Sequence, residues 1–223
     1  MAKKKDSIKE PRTPLSKERV FLTAVQIADE GGLTAVTMRK IAKKLGVEAM
    51  SLYHHAANKD EILDGMVNVI FSEIDFASSE TSWKTKMRKH AVSAREMLMR
   101  HTWALSLIDS WTRPGSTMLK HGELVIESLR EAGFSIAIAT HILFTLDSYI
   151  YGFVLQGQNL PFDSPEELAE LATTLQRIPD DEYPYTTEMI VDWAQDPGFS
   201  FANEFEFGLD LILDGFERIR DTV

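Results

Sequence analysis

Between residues 37 and 59 the chain places groups that can hold a polyanion beside groups that can meet base edges. Thr37, Arg39 and Lys40 open one short segment. Ala49, Met50, Ser51, Tyr53, His54 and His55 follow across Gly46, and Lys59 closes the tract. Arginine, lysine and hydroxyl side chains hold phosphate oxygens, and a mixture of small, hydroxyl and aromatic groups suits the edges of bases in a groove. Lys43 and Lys44 add positive charge around them. The rival chemistry for His54-His55 is a metal site. Neighbours on a helix point about 100° apart and cannot chelate one ion together, so phosphate or base contact is the better use. The bland alternative is a plain three-helix unit with a solvated basic face. Elsewhere, no nucleophile elbow, P-loop, dinucleotide fingerprint or zinc-protease motif occurs, and the chain reads as a non-enzyme. Cysteine is absent, which excludes disulfides, thiolate zinc sites, iron–sulfur clusters and a cysteine nucleophile.

These groups need short helices to present them, and the punctuation is helical throughout. Proline is missing from Leu15 to Arg113, and no run alternates with period two between turn residues. The reading is an all-α protein of about nine or ten helices, an N-terminal helix-turn-helix followed by a larger helical domain. Ser16 caps the first helix, which ends at Gly31-Gly32. A second helix is predicted over about Thr37 to Leu45, stopped by Gly46, and a third over about Glu48 to His54. Asn58 caps a fourth, with Glu61 completing a capping box. In the body, Trp83, Met87, Ala91, Ala94 and Leu98 form one apolar stripe. Further helices are expected over about Trp103 to Trp111, Ser116 to Ala132, Ser135 to Gln156 and Phe201 to Arg220. One short helix, capped by Ser164, is expected between Gly157 and Pro184. The helix from Ser135 is apolar over most of its circumference, and the last helix has a second apolar face at Phe207 and Leu211.

The net charge is −10 over 223 residues, but residues 1–60 carry +5 and the remainder −15, by count of Lys and Arg against Asp and Glu. A basic head on an acidic body points to a local polyanion contact. The lysine-rich start has no apolar run behind it and does not read as a secretory signal. The stretch Ile142 to Leu155, interrupted by Asp147, reads as too short to span a bilayer. The expected location is the cytoplasm, with no membrane partner.

The tract from Val36 to Leu63 follows the pattern LTMRKLA-x-x-LGV-x-x-x-SLY-x-H-x-x-NKDEL, and residues 16–76 thereby resemble the DNA-binding domain of the TetR family of transcriptional regulators. TSWKTKMRKHA, TRPG, EAGFS and FEFGLDLILDGF recur in the order of a tetracycline-repressor-type C-terminal domain. The resemblance implies three parts: a flexible basic arm over residues 1–15, a DNA-binding domain over 16–62 linked through a helix over 63–76, and a ligand-binding and dimerisation domain over 77–223. The arm reaches a minor groove or is only a tail. Thr37 and Arg39 would meet phosphate; Ala49, Met50, Ser51, Tyr53 and His55 would meet bases or backbone; Lys59 would hold a phosphate. The partners implied are a palindromic double-stranded operator, a small-molecule effector and a second copy docked through helices of about 135–156 and 201–220. The function implied is a homodimeric repressor released by an inducer, with an activator or a helical adaptor of the same fold as the alternative.

The same resemblance carries ligand positions, and there the chain departs. Asp75, His90, Ala94, Asp109 and Gln156 stand where tetracycline repressors have histidine, asparagine, phenylalanine, histidine and glutamate, while Thr112 and Arg113 keep the family residues. The departures argue against a magnesium–tetracycline complex, and no metal or cofactor is expected. Asp75, His90 and Asp109 hold a polar ligand or a cation, or are ordinary rim groups. Met66, Met97, Met99, Phe71, Trp103, Trp111, Tyr149 and Tyr151 either line an adaptable pocket or fill the core. Asp147, in an otherwise apolar helix, faces a cavity, pairs across a dimer or lies at a wet edge.

Overall fold

The computed structural model describes residues 14–76, 82–109, 116–160, 165–175, 183–196 and 199–220. Among them are eleven α-helices and no strand. The Lys3–Pro14 arm up to residue 13, Trp111, Thr112, Arg113, Ser164 and the side chain of Asp109 lie outside the described residues.

The head is built from α1 (Lys17–Gly31), a 3-10 turn (Leu33–Ala35), α2 (Met38–Leu45) and α3 (Ala49–Leu52). Ser16 Oγ accepts the Arg19 N–H at 3.3 Å and starts α1. Gly46, at φ 67°, ends α2 in the left-handed region that other residues enter at a cost. Val47 N–H then returns to Ala42 O at 3.0 Å, which folds α3 back across α2. Ile41, Ala42 and Leu52 are buried against Val20, Ala24 and Ile27 of α1 in one core.

Helix α4 (Lys59–Phe71) joins this head to the body. Asn58 Oδ1 accepts the Glu61 N–H at 2.8 Å. Glu61 reaches back to the Ala57 N–H at 2.7 Å, one residue earlier than a capping box requires. The contact of α4 with α1 is close because residue 65 is glycine: a Cβ there would stand 2.5 Å from ring carbons of Phe21. Helix α4 ends at Phe71, short of the expected residue 76. Ser72 Oγ donates to Val69 O at 2.6 Å, and the next amides close tighter turns onto Ile70 and Phe71. Asp75 therefore lies beyond the helix.

The body consists of α5 (Trp83–Arg100), α6 (Ala104–Asp109), α7 (Ser116–Glu131), α8 (Ile136–Gly157), α9 (Pro165–Leu175), α10 (Pro184–Gln195) and α11 (Phe201–Arg220). The stripe expected on α5 is buried throughout. Helix α6 starts one residue later than expected and leaves Trp103 in the turn before it; its expected end at Trp111 lies outside the described residues. Helix α10 is an element that sequence reading missed; with α9 it closes over a small separate core of Leu168, Ala172 and Ile190. The acidic, proline-bearing stretch before it masks its pattern.

Helix α8 is longer than the apolar stretch Ile142 to Leu155 read from sequence. At 22 residues it is long and apolar enough to cross one by length and composition. Its row Ala139, Ile142, Leu146, Ile150 and Val154 is instead buried in the protein core. Its other side exposes Ile136, Phe144 and Leu155, and α11 exposes Phe207, Leu211 and Ile219. Tyr149 ties the two helices: its hydroxyl donates to Phe205 O at 3.0 Å, and its ring stacks on Phe205 at 5.1 Å. Gly208 leaves the space that the Tyr149 hydroxyl occupies.

Candidate functional site

The polyanion-facing groups gather at the end of the head. Thr37 Oγ1 accepts the Lys40 N–H at 3.1 Å and so caps α2; its hydroxyl hydrogen remains available to a phosphate. Arg39, Lys40, Lys43 and Lys59 are exposed and, among the described residues, have no acidic partner. Lys44 differs from the expectation: it is tied to Glu30 of α1, so its charge is partly spent inside the head. Lys59 opens α4, where the first backbone amides of a helix also favour an anion.

Helix α3 is only one turn long, against the expected run to His54. Tyr53 N–H bonds to Met50 O at 3.3 Å and His55 N–H to Leu52 O at 2.8 Å, so Tyr53, His54 and His55 sit in a tightened turn. Leu52 is the buried anchor. Around it, Met50 is 74% exposed and Tyr53 47%, while His54 is exposed and Ala49, Ser51 and His55 are half-buried. Two large apolar side chains left open on so short an element have no packing role within the chain. The Glu18 carboxyl at the start of α1 is held below its usual range by its own backbone N–H first and then by Ser16, with smaller contributions from Lys17 and His55.

The second site lies where α4, α5 and α7 meet. Phe71 and His90, both named from sequence, are brought together by two residues that were not. His121 of α7 stands edge-on to Phe71 at 5.4 Å and tilted against His90 at 4.7 Å. Phe76 lies 5.4 Å from His90 and 6.4 Å from His121. His90 is 2% exposed, and its Nδ1 has no hydrogen-bond partner. Burial, helped by the neighbouring His121, pushes His90 down to about 3, and burial alone lowers His121. Both imidazoles are thus neutral near pH 7. The sequence signal for His121 was its place four residues before Val125 and eight before Leu129 on the inward row of α7.

The remaining ligand positions are more scattered. Ala94 is buried on α5. Asp75 is exposed, with its backbone N–H on Ser93 Oγ at 2.9 Å. Gln156 is exposed at the end of α8. Asp147 and Tyr151, one turn apart on α8, are half-buried; burial raises Asp147 to about 6 and also raises Tyr151, with the Asp147 charge adding to it. Met66 and Met97 are core residues, and Met99 is exposed. Among the described residues no three His, Asp or Glu side chains are grouped to hold a metal.

Two family models match this arrangement: "Bacterial regulatory proteins, tetR family" over residues 21–66 and "Tetracyclin repressor-like, C-terminal domain" over residues 77–220. The chain belongs to the TetR family. As a member it is a ligand-responsive DNA-binding regulator of transcription. It is 26% identical over 211 residues to the tetracycline repressor protein class C of Escherichia coli, covering 93% of each chain. The TetR-family protein ActR of Streptomyces coelicolor, solved in complex with actinorhodin, is 25% identical with a TM-score of 0.71 over 93% of this chain and 99% of its own. The regulator SCO7222 of the same organism shares the fold at a TM-score of 0.79 and 24% identity, over 93% of this chain and 100% of its own.

Proposed function

We propose that this TetR-family protein is a homodimeric repressor that holds a palindromic operator with two heads and leaves it when a small molecule fills the body. The observation that carries the reading is the open turn after α3. Met50 of α3 and Tyr53 and His54 in that turn are exposed, on a head with four cations that have no acidic partner among the described residues, in a chain whose remainder is strongly acidic. Thr37, Arg39, Lys40 and Lys59 are assigned to phosphates. Ala49, Met50, Ser51, Tyr53, His54 and His55 are assigned to base edges and the adjoining backbone. The partner copy is assigned to the apolar faces of α8 and α11, where Phe144 and Phe207 are 65% and 66% exposed. On this reading the protein works in the cytoplasm, where an operator would be met, as a regulator and not an enzyme.

The effector is assigned to the body near Phe71 and His90; Asp75, Ala94, Asp109, Thr112, Arg113, Asp147, Tyr151 and Gln156 stay candidates for contact with it by the family resemblance. The unpartnered Nδ1 of His90 supports this, because a buried polar atom without a partner costs about 1–3 kcal/mol until something pairs with it. ActR with actinorhodin supplies the analogy. The effector must bind the DNA-incompetent arrangement better than the competent one, since only differential affinity shifts the balance.

Selection of bound duplexes from a random pool tests the reading. The expected product is a two-fold-symmetric sequence with half-site centres spaced about 34–36 Å apart or a multiple of it. Recovery of no enriched sequence at physiological salt refutes the reading.

A further inference from the structure

Besides the apolar seam along α4, the head meets the body through a polar grip on α1. Asp29 stands two residues before the end of that helix. One of its carboxylate oxygens accepts the Trp103 indole N–H at 2.7 Å and faces His101 Nδ1 at 2.8 Å. His101, the residue that closes α5, turns Nε2 toward the two Glu73 carboxylate oxygens at 3.3 and 3.4 Å. Arg100 donates to the same Glu73 carboxylate at 2.8 Å. The His101 and Trp103 rings lie 5.9 Å apart.

The burial is one-sided. His101 and Trp103, both from the turn between α5 and α6, are buried. Asp29 and Glu73, on the head and just past α4, keep about a third of their side chains open. The polar atoms of two buried body residues thus end on carboxylates that belong to the head side. Rotating the head away would leave the indole N–H and an imidazole nitrogen without partners in a closed surround, which the fold resists. Helix α1 packs against α2, and α2 against α3, so whatever holds Asp29 also sets the direction in which the turn after α3 points.

We propose that Asp29 is a positioning residue for DNA contact: the grip of His101 and Trp103 on its carboxylate fixes the angle of the head against the body. The grip is read from contacts alone; its consequence for DNA rests on the assignment of the α3 turn to base edges.

The absence of cysteine makes the test clean, because introduced cysteines are the only thiols in the chain. Spin labels at Gln26→Cys on α1 and Glu123→Cys on α7 are both on exposed positions. Labelled chain diluted into unlabelled chain reports the head-to-body distance within one protomer by pulsed electron resonance. A narrow distribution is expected for the parent. Asp29→Ala and Trp103→Phe should each broaden it, and the double variant should be no broader than Asp29→Ala, since both act through one carboxylate. Trp103→Phe keeps a ring in place, so the test survives if Asp29→Ala folds poorly. On a duplex enriched from the random pool, each variant should bind about tenfold more weakly or worse, as the competent fraction of heads falls, with cooperative unfolding retained. Unbroadened distributions in both variants overturn the proposal, as do broadened distributions with unchanged duplex affinity. A parent that enriches no duplex defeats the DNA assignment instead, and the distance widths still decide the grip.

Discussion

Asp147→Asn should stabilise the protein at neutral pH and leave it unchanged in acid. The carboxyl sits on α8 among apolar neighbours, and burial raises it from 3.8 to about 6. Between those values the native chain holds a proton that the unfolded chain has released, so stability falls as pH rises through this window and the full penalty applies above it. Two pKa units correspond to about 3 kcal/mol. Asp147 keeps an open edge toward solvent, which trims the expected gain to about 2 kcal/mol at pH 7.5. His90 works in the opposite sense. Its native value lies at about 3 against an ordinary 6.5, so the unfolded chain binds the proton first and stability falls as pH drops below 6.5. In the parent the two slopes oppose each other between about pH 4 and 6 and largely cancel. Removing the Asp147 charge exposes the His90 slope, about 1.4 kcal/mol per pH unit. Urea unfolding at fixed protein concentration and at pH 7.5, 6, 5 and 4 reads both effects. A variant less stable than the parent at pH 7.5 refutes the reasoning, because it means that the carboxylate has a partner, across the dimer or elsewhere.

Tyr53→Ala should weaken binding to an enriched duplex by about 1–3 kcal/mol and relax sequence preference, read by competition against single-base variants. Lys59→Ala should weaken all duplexes alike and lower the slope of log affinity against log salt by about one. Phe144→Asp with Phe207→Asp should yield monomers in sedimentation, with helical circular dichroism retained; a persistent dimer sinks the assignment of that face. Gly65→Ala should cost about 1–3 kcal/mol in urea unfolding by forcing Phe21 out of the α1–α4 contact, and Gly65→Val more; a neutral Gly65→Ala removes the close-approach account.

Element positions were legible where capping and punctuation were strong. Ser16 and Asn58 each cap the helix expected of them, and Gly46 turns the chain where it was expected to, while Thr37, read as the first residue of its helix, caps it instead. Reading failed where tertiary contacts decide the ends. The α3 and α4 termini tighten into short turns that no residue pattern announces, and Trp103, just before α6, has its indole on Asp29. The exposed members of the head site were legible because they have no packing role. The body site was legible only in part. Periodicity tells which residues of α5 and α7 point inward, but His90 and His121 meet only because α4, α5 and α7 converge, and convergence has no one-dimensional signature. Tyr149 and Trp103 show the converse: both are aromatic residues of pocket type, and both are engaged in holding helices together.

The charge asymmetry and the apolar faces together constrain how such a molecule can work. A body at −15 repels the duplex, so DNA contact is confined to the heads, and each head is small. One head presents a single one-turn element and a few cations, too little for more than non-specific affinity at physiological salt. Sequence selection therefore requires two heads on one duplex, and two heads help only when their separation is fixed. In the proposed dimer that separation would be set in series by the α8 and α11 faces between protomers, the apolar α4 seam and the Asp29 grip within each. Loosening any one link spreads the heads over spacings that the operator does not offer. A small molecule in the body needs to strain only the weakest of the three, and the grip rests on two carboxylates about a third open to solvent.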